Sequence, residues 1–206
     1  MKPKSIVHSF GESLEESHKL DQEHNFIELY ERMWPDVVSA QRIDADSHLQ
    51  RSGVDRLIVL QTGKQITIDE KVRKEDYGDI LLELVSVGHY STNGFIEKKP
   101  GWTVDMTKIC DFIAYVVLPS ARCYLLPFDL LRNATIANMD AWKANPKCRF
   151  PKDSDNFTYI TRNIAVPWDI LKPAITQQMF RKFGDGKPLP PANNGNAVQL
   201  EFRWGN

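Results

Sequence analysis

Residues 53–73 constrain the fold more than any other stretch. Gly53-Val54-Asp55 opens an apolar run that ends at Leu60, Gln61-Thr62-Gly63-Lys64 turns the chain, and Gln65–Arg73 runs back. Two β-rich runs joined by a short turn containing Gly predict an antiparallel hairpin. Side chains alternate along a strand, so the second run has two faces. Ile66, Ile68, Glu70 and Val72 share one; Thr67, Asp69, Lys71 and Arg73 share the other. Asp69 and Lys71 therefore project together, roughly 6–7 Å apart along the backbone. The hairpin brings Asp55 opposite Asp69, and the Glu70 side chain points away.

Two carboxylates on one sheet face repel each other. A divalent cation between them removes that cost, and Mg²⁺ (or Mn²⁺) suits oxygen ligands. Asp55 and Asp69 are the candidate metal ligands, with the backbone carbonyl of Glu70 as a further one. Lys71 beside them can orient a water, neutralise charge at a phosphorus or, if desolvated, accept a proton. A lone D-x-K is most often a solvated strand face. The preceding Gly53-x-Asp55, the hairpin spacing and a helix upstream give this one its weight. Glu83 on a later strand reads as structural first and as a substitute acid second.

The flanks supply the rest of an α/β pattern. Ser13-Leu14-Glu15-Glu16 fits a capping box and starts a helix. Its apolar stripe is Phe26, Ile27, Tyr30, Met33 and Trp34, and Pro35 stops it. Val37–Ala40 reads as a short strand, residues 42–52 as a polar loop, Ile80–Val87 as a third strand and residues 88–101 as a polar loop. Phe112–Leu118 is apolar on both faces, as a central strand is, and Pro119-Ser120 turns into Cys123–Leu126. Pro127-Phe128-Asp129-Leu130-Leu131 and Pro167-Trp168-Asp169-Ile170-Leu171 are two strand-to-helix junctions in which the Asp is a candidate N-cap. The expected organisation is a flexible leader over 1–12, one domain over 13–183, and a flexible extension over 184–206 with an edge strand near 197–204.

Taken with the helix before them, Gly53-x-Asp55 and Asp69-x-Lys71 on consecutive strands resemble the PD-(D/E)XK nuclease superfamily. That superfamily includes restriction endonucleases, repair nucleases and phage-encoded enzymes. The resemblance covers roughly residues 20–130. It implies a restriction-endonuclease-like core, a mixed central β-sheet flanked by helices, and Mg²⁺-dependent cleavage of DNA. Carried over, Asp55 and Asp69 would hold the metal and Lys71 would be the catalytic lysine. The superfamily often adds a glutamate from the first helix; Glu23 lies nearest the apolar stripe and is the nominee, with Glu28 as the alternative on the far face. Many members place a helix soon after the lysine strand, whereas this chain runs into another strand at Ile80–Val87.

Charge and composition bound the alternatives. The net charge is −1 over 206 residues. Residues 1–50 hold 5 Lys+Arg against 10 Asp+Glu, while residues 141–206 hold 10 against 5. A basic C-terminal third can meet a phosphate backbone. Cys110, Cys123 and Cys148 form no C-x-x-C pair, which argues against a zinc site or disulfide framework and for a reducing, cytoplasmic setting. No apolar run reaches the roughly 18–20 residues of a membrane span. A homodimer would suit double-strand cutting. Two other functions fit the same residues: an inactive DNA-binding module on the nuclease fold, or a phage-type regulator that binds a host protein.

Overall fold

The computed structural model describes residues 26–44, 47–151, 154–156, 159–183 and 201–203. In chain order the elements are α1 (Phe26–Met33), β1 (Val37–Arg42), α2 (His48–Arg51), β2 (Arg56–Leu60), β3 (Gln65–Arg73), β4 (Asp79–Ser91), β5 (Gly94–Pro100), β6 (Phe112–Val117), β7 (Arg122–Pro127), α3 (Phe128–Ala144), β8 (Ser154–Asn156), β9 (Tyr159–Pro167), α4 (Trp168–Phe183) and β10 (Glu201–Arg203). A 3-10 turn, Leu118–Ser120, links β6 to β7. The fold is α/β, with a mixed central sheet ordered β1-β2-β3-β6-β7-β10 and helices on its faces. β3 and β6 run parallel, and the other neighbours in this sheet are antiparallel.

The β2–β3 hairpin forms as its pattern requires. Gly63 takes φ +80° in the turn, a conformation that costs a side chain 1–2 kcal/mol but glycine nothing, roughly. Ile66 and Ile68 are buried on one face with Ile58, Leu60, Ala114 and Val116, under Leu29 and Tyr30 of α1. The other face packs Ile113, Tyr115, Tyr124 and Leu126 against α3, α4 and β9. β6 thus feeds both clusters, which explains its unbroken apolar run.

Several sequence expectations need correction. In α1, Ile27 is 45% exposed, while Leu29, left out of the expected stripe, is buried. The expected loop over 42–52 contains α2, capped by Ser47, whose hydroxyl accepts the Gln50 N–H at 3.1 Å. The third strand is longer than expected and leaves the central sheet. After β3 the chain bends through Gly78 (φ +69°), and β4 joins a second, antiparallel sheet ordered β5-β4-β9-β8. The expected polar loop over 88–101 is half of a hairpin, β4–β5. Its polarity reflects an exposed edge strand, and Asn93-Gly94 was the available turn signal. Both strand-to-helix junctions form, but Asp129 lies inside the first turn of α3, where it pairs with Arg132 at 2.7 Å and caps nothing. Ser13, Glu23, Trp204 and the 184–196 stretch lie outside the described residues. β10 does pair with β7 at the sheet edge.

Candidate active site

Three local devices place Asp55. α2 ends at Ser52, and Gly53 follows with φ +82° as the left-handed residue that closes the helix. A Cβ at Gly53 would also lie 2.7 Å from the Lys108 Cδ, whose ammonium donates to the Arg51 carbonyl at 3.0 Å. Val54 is fully buried. Asp55 then enters the sheet: its N–H donates to the Ile68 carbonyl, and its carbonyl accepts the Ile43 N–H, both at 2.8 Å.

The β2–β3 pairing runs to Arg56↔Ile68, and the Asp55 N–H on the Ile68 carbonyl holds Asp55 at its end, beside Asp69. Asp55 Oδ2 accepts the backbone N–H of Glu70 at 2.8 Å. A residue's N–H and C=O leave the same edge of a strand, so the Glu70 carbonyl faces the Asp55 side too. Asp69 is 3% exposed and forms an ion pair with Lys71. Burial pushes the Asp69 carboxyl up to about 7; Lys71 opposes the shift, and Asp55, close enough to share a hydrogen bond, adds to it. Burial works against the Lys71 ammonium, but Asp69 and Asp55 outweigh it and hold its pKa above the ordinary lysine range.

The expected Asp55, Asp69 and Lys71 are therefore brought together. The Glu70 side chain lies on the opposite face, as alternation requires. There it receives Arg56 Nε at 2.7 Å and the Tyr30 hydroxyl at 2.6 Å. Arg73 shares the Asp69 face but is engaged in the scaffold, with Asp79 at 3.4 Å and the Tyr115 hydroxyl at 3.2 Å. Glu28 is exposed and pairs with Arg32 at 2.6 Å, on the far face as expected.

The sequence undervalued three neighbours. The Trp102 ring lies 5.4 Å from Lys71 Nζ. Glu83 accepts the Trp102 N–H at 3.3 Å, and burial raises its pKa against the pull of that hydrogen bond and of Lys71. The buried Cys110 thiol is pushed up to about 12, by burial first and then by the Asp69 charge. The signal for Trp102 was Pro100-Gly101 before it; Cys110 had none.

The donor set suits a hard cation. Among the described residues no group of three or more His, Cys, Asp or Glu could hold a metal ion. Mg²⁺, however, is usually bound through one or two carboxylates and keeps several waters. Asp55, Asp69 and the Glu70 carbonyl are oxygen donors of that kind, and the Lys71 ammonium already bonds Asp69 beside them.

No protein-family model matches the chain, and no curated protein matches it. Among solved structures the chain is similar to a bacterial homing endonuclease, I-Ssp6803I. The match has 13% identity, spans 56% of this chain and 69% of that one, and has a TM-score of 0.36. No helix among the described residues is long and apolar enough to cross a membrane.

Proposed function

We propose that this chain is a metal-dependent nuclease that hydrolyses DNA phosphodiester bonds. One observation carries the reading: Asp55 and Asp69 face each other on the β2–β3 hairpin, with Lys71 bonded to Asp69. Asp55, Asp69 and the Glu70 carbonyl would hold Mg²⁺ or Mn²⁺. When bound, the ion would supply Lewis-acid stabilisation of phosphoryl oxygens and make water more acidic.

The chain's own groups do the remaining work. Lys71 stays a cation at neutral pH, so it orients water and offsets charge on the phosphate rather than accepting a proton. The β2–β3 ladder fixes the spacing of the two carboxylates, and the buried Glu70–Arg56–Tyr30 set holds the hairpin from behind. Glu23, outside the described residues, is the proposed further acid that the superfamily resemblance implies. Arg181 and Lys182, in the last turn of α4, belong to the basic third that would meet DNA.

The test is a cleavage panel of duplex, single-stranded and branched DNA and RNA, with Mg²⁺ and with Mn²⁺. Wild type should cut DNA only with metal. Asp69→Ala and Lys71→Ala should fold and cut at least about 100-fold more slowly, the scale for loss of a charge-stabilising group. Salt-sensitive DNA binding without cleavage would instead favour an inactive module. A stoichiometric protein partner with no DNA affinity would favour a regulator.

A further inference from the structure

The second sheet comes near the Asp55–Asp69–Lys71 cluster where β4 carries Glu83, on which the Lys71 charge acts. Glu83 Oε1 accepts the Trp102 backbone N–H at 3.3 Å, and the Glu83 carbonyl accepts the Thr103 N–H, also at 3.3 Å. Just before these contacts sits Gly101, where a Cβ would lie 2.1 Å from the Glu83 carbonyl oxygen. The two backbones touch, so no side chain fits there. This contact pins Trp102, whose ring faces the Lys71 ammonium at 5.4 Å. Lys71 thus has Asp69 to one side and the indole face to another, and its charge acts on the Glu83 carboxylate.

Lys71 and a divalent cation compete for the same carboxylate. The ammonium bonds to Asp69 Oδ1. A cation shared by Asp55 and Asp69 would repel that ammonium, and a partly buried ammonium needs another anion.

We propose that Glu83 is the positioning residue that receives Lys71 when Asp55 and Asp69 take a cation. Lys71 moves along the Trp102 face from Asp69 towards Glu83. This frees Asp69 and leaves the ammonium held beside the phosphate. The proposal rests on the nuclease reading, but it assigns a site role to the second sheet that Asp55, Asp69 and Lys71 do not require.

The test is a Mg²⁺ titration, by calorimetry and tryptophan fluorescence, of wild type, Glu83→Gln, Glu83→Asp and Trp102→Phe, followed by steady-state cleavage. Gln still accepts the Trp102 N–H but carries no charge. Glu83→Gln should bind Mg²⁺ roughly tenfold more weakly, the effect of losing an outer-shell partner. Its kcat should fall with the KM for DNA unchanged, and Glu83→Asp should recover part of both losses. Mg²⁺ should change wild-type fluorescence, and Trp102→Phe should abolish that change; this arm needs no variant at Glu83. Unaltered Mg²⁺ affinity and kcat in Glu83→Gln, or a full fluorescence change in Trp102→Phe, would overturn the proposal. If wild type neither binds Mg²⁺ nor cuts DNA, the nuclease reading itself fails, and that is seen before any variant is compared.

Discussion

Replacing Glu70 with alanine separates the two faces of β3. On its own face Glu70 receives the Arg56 guanidinium, 2% exposed, at 2.7 Å and the Tyr30 hydroxyl at 2.6 Å. Burial and the adjacent Glu70 carboxylate push the Tyr30 phenol well above its ordinary range, so it remains a donor. Removing one partner of a buried ion pair costs about 3–5 kcal/mol. The released hydroxyl adds about 1 kcal/mol. For a domain of this size, 4 kcal/mol lowers Tm by roughly 8–16 °C. Urea unfolding followed by circular dichroism reads the loss as a lower midpoint at unchanged m. The same protein should bind Mg²⁺ as wild type does, because the proposed donor at position 70 is the backbone carbonyl. The double variant Arg56→Met/Glu70→Leu should recover most of the stability, since apolar residues often replace a buried pair at little cost. A Glu70→Ala protein within about 1 kcal/mol of wild type, against the several expected for a broken buried pair, would refute the assignment. So would one that is stable but no longer binds metal.

Three further outcomes follow from the geometry. In EDTA, folded Asp69 titrates near 7 against 3.8 for a free Asp. The folded state thus holds a proton that the unfolded chain releases, and stability should fall as pH rises from about 4 to about 7, then level off. Thermal melts of Asp69→Asn should lack that slope; parallel curves for the two proteins would contradict it. Gly101→Ala, whose Cβ would meet backbone at 2.1 Å, should cost about 1–3 kcal/mol by overpacking and should slow cleavage by loosening Trp102 and Glu83. A full-rate, full-stability alanine variant would show that β4 and the Gly101–Trp102 segment need no close contact. Cys110, Cys123 and Cys148 are buried, and all three thiols are pushed up by burial. Alkylation at pH 8 should be slow until denaturant is added; rapid labelling of Cys110 in the native protein would show an open site.

The parts of the fold that were legible in the sequence are those governed by local pattern. Alternation along 65–73 set Asp69 and Lys71 on one face and Glu70 on the other because the period of a strand is two. The apolar run at 112–118 read as a central strand because β6 is covered on both faces. What could not be read depends on long-range pairing. Nothing local in Ile80–Val87 says whether that strand joins β3 or starts a new sheet; its partner, β9, lies some eighty residues away. Glu83 and Trp102 looked structural for the same reason, since their nearness to Lys71 arises only when the second sheet packs. Ile27 shows the limit of apolarity itself. A helix face is set by what covers it, and at the start of α1 the sheet covers Leu29 instead.

In the proposed nuclease, Asp55 and Asp69 share one divalent cation. Anomalous diffraction at the manganese edge, from crystals soaked in Mn²⁺, tests it directly. One strong peak should lie between the two carboxylates, within coordination distance of both and near the Glu70 carbonyl, and should disappear in Asp69→Ala. A peak elsewhere, or none between Asp55 and Asp69 with the site open to solvent, would contradict it.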